Sequence, residues 1–185
     1  MSLDILKKIM VLDNNYYLHN VRILILISIL CNDKIEKELK GITKLAKLDF
    51  FLRYPTALKR ALQKLGKTEY DLNLHDHELD SVESKMIRFR YGPWDMRYRQ
   101  YLAILESMRL IGVSVNKQTI EIRITSKGID AAKKFKQKLE FQDFVSRAQI
   151  LNATLGKMKG TELKDMVYVL IPELHDMKFG ELIKP

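Results

Sequence analysis

Three stretches of this chain carry residue types whose spacing could do chemistry. The first is "HDHELD", residues 75–80, which sets His75, Asp76, His77 and Asp80 side by side. Two histidines at a spacing of two suit a ligand pair on a strand or loop, but zinc normally takes a third or fourth ligand. Here those would all be carboxylates in a polar stretch, so the segment reads as an exposed loop and no metal site is assigned. The carboxylate pairs Asp71/Asp76 and Glu78/Asp80 lie in the same stretch, where nothing marks a pocket.

Asp49 is different. In "KLAKLDFFLRYP", Lys44 to Pro55, the residues Ile42, Leu45, Leu48 and Leu52 form one apolar stripe at the helical repeat. Asp49 falls inside it, where a carboxylate is costly unless paired. A buried acid can act as a general base, but no second catalytic group accompanies this one. Arg53 lies one helical turn later, and free amides begin the helix that Pro55 opens. Asp49, Arg53 and Pro55 therefore read as one structural device that fixes a corner.

The third stretch is "MIRFRYGPW", where Arg88 and Arg90 alternate with apolar residues. Lys85, Arg88, Arg90, Arg97 and Arg99 gather there around Phe89, Tyr91, Trp94 and Tyr98. Lys44, Lys47, Lys59, Arg60 and Lys64 are expected on the exposed sides of two helices, and Lys117 at the tip of a hairpin. Neutralisation of phosphates by such residues would give salt-sensitive, sequence-independent DNA affinity. Lysines also simply solvate helix faces, and the arginine–aromatic group suits a protein partner as well as DNA. Phe51 falls beside Lys44 and Lys47, away from the leucine stripe, where its ring is covered either by the rest of the chain or by another protein.

The elements that must position these groups follow from periodicity. Leu3, Leu6 and Ile9 suggest a short amphipathic helix in an N-terminal arm, residues 1–17. "VRILILISILC", Val21 to Cys31, belongs to a core helix from about Leu18 to Asn32, apolar nearly all round and too short to span a bilayer. Ile42–Arg53 and Pro55–Leu65 form two helices with a sharp corner, since Pro55 disfavours helix at Tyr54 but suits a first turn. These three helices have the pattern of a helix-turn-helix unit. Lys67–Lys85 reads as loop, and a short strand ends at a Gly92-Pro93 turn. Asp95 is placed to cap a helix burying Tyr98, Tyr101, Leu102, Leu105 and Met108.

A hairpin follows, with Val113 and Val115 before "NKQ" and Ile120, Ile122 and Ile124 after it. "TSKG", Thr125 to Gly128, then starts a helix carrying Ile129, Ala132, Phe135 and Leu139. The expected fold is mainly α with a small β wing (α+β), a winged helix-turn-helix core over 18–139. Residues 140–185 form an α-helical C-terminal extension. Its faces, among them Leu163, Met166 and Leu170, either complete the core or receive a partner chain.

The totals agree with this frame. The chain has 185 residues, 46% hydrophobic and 30% charged, enough for one real core. Its net charge of +9 favours an anionic partner. Cys31 is the single cysteine, so no intrachain disulfide forms, a reducing, cytoplasmic setting is expected, and the thiol reads as a small buried residue. No phosphate-binding loop, dinucleotide fingerprint or nucleophile elbow is present, so neither an enzyme nor a cofactor is expected.

"GITKLAKLDFFLRYP" with "LKRAL", and later "RFRYGPWDMRYRQYLAIL" with "LIGV", resembles the middle components of bacterial ABC-three component systems, of which Lamassu-type anti-phage systems are the best known. The resemblance covers roughly Val21 to Phe135. It implies a small, non-catalytic, winged-helix-like accessory subunit that docks on an SMC/Rad50-like ATPase. There it would help sense double-stranded DNA or restrain an effector protein, often a nuclease. On this reading Phe51, Phe89, Trp94, Leu163, Met166 and Leu170 are candidate partner contacts. The alternative is a free-standing winged-helix transcription regulator, reading bases from the Pro55 helix as a symmetric dimer.

Overall fold

The chain is described by a computed structural model over residues 16–76 and 85–184. The N-terminal helix expected at Leu3–Ile9 and the residues His77, Glu78 and Asp80 lie outside the described residues. The fold is mixed α+β, with seven helices among the described residues and a small antiparallel sheet.

Helix α1, Tyr16–Leu30, is the axis of the core, and Ile23 to Ile27 are fully or almost fully buried. It ends where Asn32 and Asp33 adopt left-handed φ angles of 54° and 53°, a conformation that asparagine and aspartate tolerate best after glycine. Cys31 is buried at this end, and burial pushes its thiol pKa up, which leaves it unreactive. Strand β1, Glu38–Lys40, leads into α2, Ile42–Arg53, and α3, Pro55–Lys64. Tyr54 forms the corner between them at φ −120° and ψ 74°, out of helical geometry as the residue before proline must be.

The expected Gly92-Pro93 turn is instead a strand. β2, Ile87–Phe89, and β3, Gly92–Trp94, form a hairpin in which Arg88 faces Pro93, and the turn falls at Arg90 and Tyr91. Proline is tolerated because β3 is a sheet edge, where a missing amide breaks no ladder. Helix α4, Tyr98–Ser107, follows, and Asp95 does not cap it directly. Its Oδ1 accepts the Arg97 amide at 3.0 Å and so shapes the turn before the helix. Met108 lies past the helix end and is 52% exposed, so it is not part of the buried face.

Strands β4, Ile111–Asn116, and β5, Thr119–Ile124, pair antiparallel from Ile111↔Ile124 to Asn116↔Thr119. β1 adds to β5 through Leu39↔Ile122, giving the sheet order β1-β5-β4. Leu39, Ile111, Ile122 and Ile124 turn inward. Helix α5, Ser126–Lys136, is capped by Thr125, whose Oγ1 accepts the Gly128 amide at 3.0 Å. It stops short of Leu139, which is 89% exposed rather than on the buried face.

Helices α6, Gln142–Thr154, and α7, Gly160–Leu170, pack against α1 and α2, so the core runs continuously from residue 21 to residue 183. Of the two readings open for the C-terminal faces, Leu163 and Met166 take the first: they complete this core. The tail then crosses to the hairpin. The Arg88 amide donates to the Glu181 carbonyl, Gly180 to Arg88, and Ile183 to Met86, each at 2.8 Å, with Ile87 bridged to Leu182. The tail thus lies along the free side of β2. Tyr54 ties this junction to the α2–α3 corner, donating its hydroxyl to the Ile183 carbonyl at 3.0 Å and accepting the Met86 amide at 2.9 Å.

Candidate functional site

The arginine–aromatic stretch forms a surface feature built on the hairpin. Alternation along β2 puts Ile87 and Phe89 on one face and Arg88 on the other, and Arg90 follows in the turn. Antiparallel register brings Trp94 opposite Ile87, and the rings of Phe89 and Trp94 stack with centroids 6.2 Å apart at 27°. Phe179, from the tail, adds a third ring 6.2 Å from Phe89. The Arg88 guanidinium lies over the Phe179 ring at 4.3 Å and donates to the Leu174 carbonyl at 3.2 Å. Phe89, Tyr91 and Phe179 remain 37%, 56% and 64% exposed, a concentration of aromatic surface that solvation alone does not favour.

Beneath the hairpin a buried ionic network fixes its root. Asp49 does sit against the core, fully buried, but its strong partners come from other helices. The Arg22 Nε on α1 donates to Oδ1 at 2.9 Å, and the Tyr98 hydroxyl on α4 donates to Oδ2 at 2.6 Å. Arg53 stands 3.9 Å from Asp49 and pairs more closely with Asp95, at 2.9 Å. Arg97 grips the same Asp95 with two donors, each at 2.9 Å. Asp49 and Arg53 therefore hold more than the α2–α3 corner: they lock α1, α2 and α4 to the residue that follows β3.

The electrostatics follow from this wiring. Burial pushes the Asp95 carboxyl up, but the Arg97 hydrogen bonds and the Arg53 charge outweigh it and hold Asp95 well below the usual carboxylate range. Burial, then the Asp49 carboxylate, pushes the Tyr98 hydroxyl well above its ordinary value, so it remains a neutral donor. Asp49 is thus engaged by Arg22 and Tyr98, an arrangement suited to rigidity rather than to taking a proton from a substrate.

The sequence-predicted cations divide sharply. Lys59, Arg60 and Lys64 are exposed on α3, Arg90 and Arg99 are exposed beside the hairpin, and Lys117 is exposed at the β4–β5 turn with φ 55°. Arg88 and Arg97 are half-buried and engaged as described. Lys44 and Lys47 are not on an outer face: Lys44 is half-buried and Lys47 only 2% exposed, because α7 packs along α2. The same side of α2 carries Phe51, which is fully buried within this chain. Phe51, Leu163 and Met166 are thus core residues, not partner contacts, whereas Phe89 is exposed and Trp94 and Leu170 are half-buried.

Two participants escape the sequence pattern. Arg22 carries a signal, as the lone charge in an apolar run that complements the lone acid in an apolar stripe. Phe179 carries none, since only the return of the tail brings it to the hairpin. In the loop, His75 and Asn73 bond Asp143 on α6 at 3.0 and 2.7 Å. Among the described residues no three histidine, cysteine or carboxylate side chains gather as metal ligands, and no helix is long and apolar enough to cross a membrane. Arg60 borders a cleft of about 650 Å³ that it shares with Glu173 and Glu181, a mixed-charge lining.

Comparison of the chain with protein-family models, with curated proteins and with solved structures gives no match.

Proposed function

We infer that this protein is a non-catalytic, winged-helix-like subunit that works by docking on a larger partner and contacting DNA within that assembly. The observation that carries the reading is the ring cluster of exposed Phe89 and Phe179 with half-buried Trp94, beside Arg88 and Arg90 and mounted on a buried ionic frame. Exposed aromatics beside arginine are the composition of interaction hot spots. The element order supports the winged-helix part. α1, β1, α2, α4 and the β4–β5 hairpin follow one another, and β1 pairs with the returning strand. On this alignment α3 and the β2–β3 hairpin are an insertion before the third helix, and α4 rather than the Pro55 helix precedes the wing.

The resemblance to ABC-three component middle components supplies the identity of the partners. The larger subunit is an SMC/Rad50-like ATPase in a bacterial anti-phage system, and an effector, often a nuclease, completes the complex. The protein would help sense double-stranded DNA or restrain that effector. Coexpression with an SMC/Rad50-like ATPase of such a system should give a stable copurifying complex that Phe89→Asp with Phe179→Asp disrupts. A lone dimer with sequence-specific duplex affinity would refute this reading and favour a transcription regulator.

The DNA contribution has its own expected result. Arg90→Glu and Arg99→Glu, both exposed, should weaken duplex binding and lower the slope of log K against log salt by about one for each phosphate no longer neutralised. Titrations between low and moderate salt measure this. An unchanged slope would remove those arginines from the DNA face.

A further inference from the structure

The lysines withdrawn from the outer face converge elsewhere. The start of α2 and the start of α7 meet closely: a side-chain carbon at Gly160 would lie 3.9 Å from the Lys44 Cβ and 4.0 Å from the Thr43 Oγ1. Between them opens a cleft of about 550 Å³. Lys40, Lys44, Lys47, Lys159 and Lys164 line it, together with Thr43 and Thr161, and among the described residues no acidic residue does. We propose that this cleft binds a phosphate group carrying two or more negative charges.

The charge arrangement favours a ligand. Lys40 pairs at the edge with Glu38 and Glu121 at 3.6 and 3.5 Å, and Lys164 with Asp165 at 3.2 Å. Lys44 and Lys47 form no ion pair among the described residues. Their ammonium groups donate to main-chain carbonyls, of Gly156 at 2.8 Å and Thr43 at 3.2 Å, each leaving donors over. A buried ammonium is normally paired with a carboxylate, and Lys47 is buried with only a carbonyl. The charged groups lining the cleft with it are Lys44 on its own helix, Lys40 on β1, Lys159 just before α7 and Lys164 on it, with the Tyr91 phenol from the hairpin turn. Burial, then the charge of Lys164, pulls Lys47 down to about 8. Burial also lowers Lys44, reinforced by Lys37 and opposed by Glu162.

No side chain caps α2 at Gly41, and Thr43 in its first turn lines the cleft. A single carboxylate would neutralise too little of the lysine charge. A duplex backbone presents singly charged phosphates on a convex surface and does not reach the buried Lys47. A doubly charged phosphate or a diphosphate matches both the charge and the concavity, and the volume lies within the range of small-molecule sites. The site adjoins the hairpin through Tyr91 but includes neither Phe89 nor Phe179, and it goes beyond the docking reading, so either can fail without the other.

Isothermal titration with pyrophosphate at pH 7.5 and low salt tests it. Saturable one-site binding is expected, weakened at least tenfold by Lys47→Met and by Lys164→Met, and unchanged by Lys59→Met on the exposed face of α3. Two further arms separate the sources of the phosphate: ADP against adenosine, and a 5′-phosphorylated oligonucleotide against its 5′-hydroxyl form. Circular dichroism establishes that each variant is folded, and Lys44→Met replaces any that is not. No saturable binding in any arm, or equal binding by the folded Lys47→Met, Lys164→Met and wild-type proteins, overturns the proposal.

Discussion

Asp49→Ala should lower the free energy of unfolding by about 3–5 kcal/mol, the usual cost of removing one partner from a buried ion pair. The carboxylate is fully buried and accepts from Arg22 and Tyr98 at 2.9 and 2.6 Å. Without it, Arg22 loses its carboxylate, the Tyr98 hydroxyl loses its acceptor, and Arg53 loses the negative charge 3.9 Å away. Tyr98→Phe removes one hydrogen bond to a charge and should cost less, about 1.5–3 kcal/mol. Urea unfolding of both variants checks the order. Asp49→Ala as stable as wild type would show that the network is dispensable, and loss of a chemical activity in that stable variant would restore a catalytic reading. The same network predicts acid sensitivity. Asp95 has a folded pKa held below its ordinary value, so its contribution is complete above the unfolded value and fades as the pH falls below about 4. Asp95→Asn should flatten that part of the stability profile while lowering the neutral plateau.

Gly128→Ala should destabilise by about 3 kcal/mol, against the sign that helix propensity gives. Alanine normally stabilises a helix relative to glycine by about 1 kcal/mol. Gly128, in the first turn of α5, has an ordinary helical backbone, so conformational freedom is not its purpose. A Cβ there would stand 1.9 Å from the Leu110 carbonyl oxygen and 2.9 Å from the Ile124 Cγ1. The oxygen is held in place, because the Thr125 amide donates to it at 3.1 Å. The helix must shift off the base of the β4–β5 hairpin instead. Thermal unfolding should show a drop of several degrees, with loss of amide protection at Ile111 and Ile124. Unchanged protection there would mean that α5 can rise without moving the sheet.

The helices are legible in the sequence because each carries its apolar stripe within a dozen residues. Ile42–Arg53 matches to the residue, and the Pro55 corner follows from proline chemistry alone. The β4–β5 hairpin is legible through its alternation. β1 and β3 are not, because three-residue strands hold no period and exist only through a partner. Asp49 is recognisable as buried, but local spacing points to Arg53 and the α3 amides as its partners, whereas they arrive from α1 and α4. Lys44 and Lys47 look exposed because local pattern cannot say that α7 will cover that side of α2. In each case the missing information is a contact between distant parts of the chain.

The tail's place beside β2 also bears on the order in which the protein is made. Tyr54 and Ile183 share a hydrogen bond across 129 positions of sequence, and Phe179 supplies one of the three exposed rings. On the ribosome, the α1–α2 pair, the Pro55 corner and the β4–β5 sheet can assemble while the hairpin still lacks its neighbour. The aromatic surface is then complete only after residues 179–183 have emerged. A partner that recognises Phe89 together with Phe179 therefore recognises the hairpin only once the 179–183 segment lies beside it.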